Sequence, residues 1–130
     1  MRPTFVLLLL LASAGAQTSK DEAAIIARHE EARKAHLTGN ADLLVSGIAE
    51  NFIEAGRGKV TEKTREQVRQ MFTEYFKVAK YSVWRDTFPP KVTISGDGTM
   101  AWMIVRTHVR RTEPEGEGGR REREFVYAGS

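Results

Sequence analysis

The chain has 130 residues, with 20 lysines and arginines against 17 aspartates and glutamates, and it contains no cysteine. Without cysteine there is no disulfide framework, so the hydrophobic core must hold the fold. The length fits one domain, and the net charge of +3 is too small to indicate a nucleic-acid-binding surface.

Residues 1–16 have the pattern of a secretory signal peptide. Arg2 precedes an apolar run over residues 5–11, and the Ala-Gly-Ala of residues 14–16 fits a cleavage site. The apolar run is well short of the roughly 20 residues that span a bilayer. We therefore expect an exported domain of residues 17–130, secreted or periplasmic, with no membrane segment after cleavage. The alternatives are a membrane anchor and a buried N-terminal helix.

The first predicted helix covers residues 19–38. Ser19 and Glu22 have the spacing of a capping box, and Gly39 stands where a helix C-terminus favours positive φ. His29 and His36 fall on the apolar arc of this helix. They lie seven residues apart, about 10.5 Å along the axis, which is too far to share one metal ion.

A second, shorter helix is predicted from Asn40 to about Ala49, with Leu44 and Ile48 facing inward. The stretch "ENFIEAGRGKV" at residues 50–60 then predicts a short strand and a glycine-rich turn.

The third helix has the clearest amphipathic pattern. Thr64 and Gln67 form a second capping-box motif. Apolar side chains then recur at spacings of three and four, which predicts a face that buries against a sheet. This face comprises Val68, Met71, Phe72, Tyr75, Phe76 and Ala79.

From Tyr81 onward the apolar period changes to two, which is typical of strands. Pro89 and Pro90 interrupt the first strand, because proline cannot donate a ladder hydrogen bond. Asp97 and Gly98 predict a hairpin turn. The predicted strands cover residues 81–88, 91–95, 99–111 and 120–130. Helices followed by a four-strand antiparallel meander predict an α+β fold with the helices on one face of a curved sheet.

Alternation divides the long strand into two faces. We expect an apolar core face formed by Met103, Val105, Thr107 and Val109. The opposite face carries Trp102, Ile104, Arg106 and His108. We interpret it as a half-buried outer face or a dimer surface.

This order of elements resembles the nuclear transport factor 2-like superfamily, which includes the SnoaL-like and ketosteroid-isomerase-like proteins. Three stretches carry the resemblance: "AHLTGNADLLVSGIAENFIE", "TREQVRQMFTEYF" and "ISGDGTMAWMIVRTHV". The resemblance covers residues 20–130. It implies a cone-shaped, curved antiparallel sheet wrapped around three N-terminal helices, with room inside for a small apolar ligand.

The same resemblance argues against steroid-isomerase chemistry. The isomerase base would fall at Ala55 and its tyrosine donor near Ala32, and neither residue can do that work. Family members usually carry one more strand after the position of Tyr127. We therefore expect a domain that lacks its last strand through truncation, the alternative being a domain with an exposed edge.

Asp86 is the best remaining carboxylate for chemistry, because it shares a strand face with Trp84 and Phe88. A carboxyl group beside aromatic rings in a closed cone can act as a base. The alternative is a pair between Asp86 and a basic neighbour. Among the histidines, His36 is the better pocket candidate, and the alternative for both is a hydrogen-bonded structural role.

Three functional hypotheses follow. The first is a non-catalytic module, a homodimer through the sheet, that binds a small apolar ligand or a protein partner without metal or cofactor. The second is a dehydratase or isomerase using Asp86 or His36, which a polar cavity holding both residues would favour. The third is an interaction module with a filled core. The expected ligand-binding residues are His36, Phe72, Phe76, Trp84, Asp86 and Trp102.

Overall fold

The computed structural model describes the backbone of residues 7–56 and 58–129, and the side chains of residues 19–56 and 58–128. The predicted signal peptide lies outside the residues with described side chains. The elements are α1 (Leu7–Thr38), α2 (Ala41–Val45), β1 (Asn51–Gly56), β2 (Lys59–Thr64), α3 (Arg65–Val78), β3 (Lys80–Asp86), β4 (Lys91–Ile94), β5 (Ala101–Glu115) and β6 (Gly119–Gly129). The predicted α+β class is confirmed.

The helix α1 spans Leu7–Thr38 and contains the whole of the predicted helix over residues 19–38. The end is as expected: Gly39 has φ of 65°, and the Asn40 amide donates to the Ala35 carbonyl at 2.9 Å. None of the described helices is long and apolar enough to cross a membrane.

The helix α2 is a single turn that ends at Val45, four residues before the predicted end. Asn40 caps it as expected, since its side chain accepts a hydrogen bond from the Leu43 amide at 2.9 Å. Ala41 and Val45 are the buried residues, four positions apart on the face that packs on α1 and α3. The predicted inward residue Leu44 is only half-buried, because it lies beside that face.

The strands β1 and β2 form a hairpin that is separate from the larger sheet. Asn51 pairs with Thr64 at one end and Gly56 with Lys59 at the other. The sequence predicted β1 and the turn but not β2. The hairpin is highly exposed, with Ile53 67% and Val60 75% accessible.

The helix α3 begins with the predicted capping box between Thr64 and Gln67. Val68 and Phe76 are buried, with 1% and 3% of their surface exposed. The expectation that Met71 is also buried is wrong: it is 44% exposed. Met71 borders an open space between α3 and the β1–β2 hairpin instead of contacting the larger sheet.

The larger sheet is organised around β5. β3 and β4 lie one after the other along one side of β5, and β6 lies along the other side. Because β3 and β4 share one side of β5 and do not pair with each other, the four strands form a sheet that is only three strands wide. The break at Pro89 and Pro90 separates β3 from β4. The sheets are curved and do not close into a barrel.

The alternation predicted for β5 is confirmed for three of the four predicted core residues, whereas Met103 is only half-buried. Val105, Thr107 and Val109 are buried facing the helices. Trp102 and Ile104 point to the other face and are 43% and 45% exposed. The core therefore lies between the inner face of the larger sheet and the helices α1 and α3.

Candidate functional site

An aromatic cluster surrounds His36 where α1, α3 and β3 meet. The imidazole stacks on Trp84, with ring centroids 3.9 Å apart and planes inclined by 29°. Phe72, Phe76 and Tyr81 present edge-to-face contacts at 5.9, 5.6 and 5.2 Å. Such geometry is favourable for rings that carry a quadrupole. Four of the six predicted ligand-binding residues therefore meet, but they fill the space between the elements with side chains.

His36 is held in one orientation by its own helix. Its Nδ1 lies 2.7 Å from the carbonyl oxygen of Ala32, so the proton belongs on Nδ1. Burial lowers the pKa of His36, and the bond to Ala32 opposes that shift. The ring is consequently favoured in its neutral form, with Nε2 as the acceptor.

Asp86 pairs with His29 rather than with His36. Its Oδ2 lies 2.8 Å from Nε2 of His29, and its Oδ1 accepts a hydrogen bond from the Thr107 hydroxyl at 3.0 Å. The two ionisable side chains are only 10% and 13% exposed. This is the pairing with a basic neighbour that the sequence left open. A carboxylate that orients an imidazole can also hold or move a proton.

A second polar network occupies the other end of β3. The hydroxyls of Tyr75 and Tyr81 are 3.2 Å apart, and Arg111 donates to the Tyr81 hydroxyl at 3.3 Å. Burial raises the pKa of Tyr81 to about 12, and the bond to Tyr75 adds to this while Arg111 opposes it. The guanidinium of Arg111 also lies over the ring of Phe125, 5.4 Å from its centroid. Tyr81 is therefore a neutral hydrogen-bonding group.

The indole nitrogen of Trp84 is buried and has no hydrogen-bond partner among the described residues. Such orphan donors are rare in native proteins. Tyr127 contacts the same indole edge-to-face at 6.3 Å. Burial raises the pKa of Tyr127, and a hydrogen bond with Thr107 opposes the shift. The indole nitrogen of Trp84 and the hydroxyl groups of Thr107 and Tyr127 thus lie beside the aromatic cluster on the inner face of the sheet.

A cavity of about 670 Å³ lies between α3 and the β1–β2 hairpin. Met71, Phe72 and Tyr75 form its helical wall. The hairpin wall carries charged side chains, and Lys63 forms an ion pair with Glu54 at 2.7 Å. Only Phe72 of the predicted ligand-binding residues borders this cavity.

A smaller groove of about 500 Å³ opens at the end of β3. Asp86 borders it together with Arg33, Arg85, Pro89 and Pro90. Arg33 forms an ion pair with Glu30 at 2.7 Å, and Arg85 donates a long hydrogen bond of 3.3 Å to Nδ1 of His108. The groove combines these charged side chains with apolar ones, and it lies close to the pair formed by His29 and Asp86.

Trp102 does not join any of these clusters, because its side chain lies on the outer face of β5. Sequence reasoning also missed Tyr81. Simple alternation would place Tyr81 and Trp84 on opposite faces of β3. A bulge between Tyr81 and Val83 shifts the register by one residue. Both rings consequently point inward.

Among the described residues, no group of three or more histidine, aspartate or glutamate side chains is placed to hold a metal ion. Comparison with protein-family models, curated proteins and solved structures found no match to this chain. The function is therefore inferred from the geometry of the molecule.

Proposed function

We propose that this chain is an exported member of the nuclear transport factor 2-like superfamily and binds a small apolar molecule without chemical conversion. The cavity of about 670 Å³ between α3 and the β1–β2 hairpin carries this proposal. Its volume lies within the range of small-molecule sites, which is about 300–1,000 Å³. The cone shape implied by the sequence resemblance belongs to the same proposal.

The cavity wall supports an apolar ligand with few polar groups. Met71 is 44% exposed there, and Phe72 and Tyr75 are half-buried, so a ligand would remove apolar surface from water. The charged groups opposite are partly neutralised by the pair of Lys63 and Glu54. The neutral His36 and the pair of His29 and Asp86 do not border this cavity, so these groups do not act on a ligand bound in it.

Binding of a neutral, environment-sensitive apolar dye such as Nile red tests the proposal. We expect saturable fluorescence enhancement that Met71→Trp weakens at least about tenfold, because the indole fills the cavity. Met100→Trp is the matched control, since Met100 is 61% exposed in the turn before β5. Equal binding by both variants would contradict the assignment of the cavity.

A second candidate function is a dehydratase or isomerase that uses the pair of His29 and Asp86. The observation in its favour is their 2.8 Å contact beside the groove at the end of β3. Enzyme-dependent deuterium exchange at carbons next to a carbonyl, measured by NMR on a panel of small ketones, tests this candidate. The exchange should disappear in Asp86→Asn, and no exchange by the unmodified protein would reject it.

Export is also part of the proposal, on the pattern of residues 1–16. N-terminal sequencing of the protein recovered outside the cytoplasm should begin at Gln17. A mature product that keeps the apolar run of residues 5–11 would reject cleavage at this site.

A further inference from the structure

The outer edge of β6 is open within the described part of the chain. β6 pairs with β5 along its whole length, from Gly119 opposite Glu115 to Gly129 opposite Val105. No strand among residues 7–56 and 58–129 pairs with its other side. Val126 and Tyr127 near the end of β6 are 50% and 36% exposed. An open edge of this length offers a row of backbone donors and acceptors to another strand.

The charges of β6 are sorted by face. On the inner face, Arg121 and Arg123 both contact the carboxylate of Glu113 on β5. On the outer face, Glu122 and Glu124 lie beside Arg110 of β5, at 3.9 and 3.2 Å. Between residues 121 and 124, each face of the strand therefore carries two like charges, and Arg120 precedes the glutamates on the outer face.

The rest of β6 is uncharged. On the outer face Val126 and Ala128 follow the glutamates, and on the inner face Phe125 and Tyr127 follow the arginines. The strand is consequently divided into a charged half and an apolar half, and this division restricts how it can pair with itself.

We propose that β6 pairs antiparallel with β6 of a second copy of this chain, in a register centred on Phe125. In a two-fold arrangement, residues at equal distances on either side of the centre face each other on the same side of the sheet. Centring on Arg123 places it against the partner's Arg123 and places Glu122 against the partner's Glu124. Centring on Glu124 opposes the two copies of that carboxylate.

The register centred on Phe125 is the first along the strand that opposes no like charges. It places Glu124 opposite the partner's Val126, and Glu122 opposite the partner's Ala128. It also places Arg123 opposite the partner's Tyr127, where a guanidinium can lie over the ring. Registers centred further along leave more of the strand unpaired. Charge pattern and paired length therefore select the same arrangement.

A matched pair of substitutions at Val126 tests both the interface and its register. In this register, residue 126 of each copy faces Glu124 of the other copy, so the contact occurs twice in the dimer. Val126→Glu should weaken dimerisation by about 2- to 30-fold, because like charges oppose each other at two symmetric positions. Val126→Lys should preserve or tighten the dimer, because it creates two opposite-charge pairs.

Dimerisation of the full chain is measured by sedimentation equilibrium, with Val126→Thr as the neutral reference. Thermal melts at low concentration check that all variants fold. If Val126→Lys and Val126→Glu weaken the dimer equally, the strands are centred on residue 126 and the proposed register is wrong. A protein that stays monomeric, or a dimer that neither charge affects, would overturn the proposed interface.

Cysteine cross-linking gives an independent readout, because the chain has no cysteine of its own. Glu124→Cys mixed with Val126→Cys should form a disulfide faster than either variant alone, since the two positions face each other only in the proposed register. A faster reaction between Glu122→Cys and Val126→Cys would show pairing centred on Glu124 and reject the proposal.

Discussion

The imidazole of His36 lies on the indole of Trp84 with 3.9 Å between ring centroids, and this stack joins α1 to β3. The contact is made by a neutral ring, because burial lowers the pKa of His36. Protonation would place a cation among four aromatic side chains, with one hydrogen bond to Ala32 to compensate it. The stability of the fold should therefore depend on pH through this residue.

The sign of that dependence follows from the direction of the shift. Above the ordinary pKa of 6.5, His36 is neutral in both the folded and unfolded chain and does not make stability depend on pH. Below 6.5 the unfolded chain binds the proton more readily, so the free energy of unfolding falls until the lower folded pKa is reached. Urea melts of the unmodified protein and His36→Phe between pH 7 and 5 measure this. The difference between them should change with pH, whereas a constant difference would contradict a buried neutral His36.

Phe76 should be the costliest aromatic residue of α3 to truncate. It is 3% exposed, and Phe76→Ala should lower the free energy of unfolding by about 3–5 kcal/mol through lost burial and a cavity. Met71→Ala on the same helix is the control, with an expected loss below about 1 kcal/mol, because Met71 is 44% exposed. Comparable losses in denaturant melts would show that the core face of α3 is wrongly identified.

His29 and Asp86 should show strong energetic coupling. Both side chains are largely buried, so removing either leaves the other without its partner. A double-mutant cycle with His29→Ala and Asp86→Ala should give a coupling energy of about 1–3 kcal/mol. The exposed pair of Glu74 and Lys77, 2.6 Å apart, is the control and should give no more than about 0.5 kcal/mol. Equal coupling energies in both cycles would contradict the structural role assigned to the pair of His29 and Asp86.

The N-terminus of α3 should depend on its cap. The Thr64 hydroxyl accepts a hydrogen bond from the Gln67 amide at 3.2 Å, and the Gln67 side chain accepts one from the Thr64 amide at 2.9 Å. Thr64→Ala should cost about 1 kcal/mol of stability, and Thr64→Ser should restore most of it. Thr73→Ala, an exposed position inside the same helix, should change stability by less than about 0.5 kcal/mol. Failure of the serine variant to recover stability would exclude the capping explanation.

Local sequence patterns were sufficient for the N-terminus and the buried residues of α3 and for the division of β5 into two faces. The spacing of Val68 and Phe76 and the motif of Thr64 and Gln67 depend only on neighbours within a few residues.

The candidate site was less predictable, because its contacts join distant parts of the chain. His29 and Asp86 are 57 positions apart, and nothing local to either residue indicates the other. Tyr81 was missed because the bulge in β3 breaks the alternation on which face assignment depends. The exposure of Met71 results from the position of the β1–β2 hairpin, whose second strand the sequence did not reveal.

The central place of β5 has a consequence for how the molecule assembles. Between Thr107 and Thr112 it is hydrogen-bonded to a strand on each side, so its amides should be among the slowest to exchange with solvent. Both of its hairpins close through short turns, one between Ser95 and Met100 and one between Glu115 and Gly119. Short closures cost little chain entropy, so pairing can spread along β5 from both ends before the helices dock. We therefore expect β5 to be paired along its buried residues Thr107 and Val109 before the large aromatic residues pack on it.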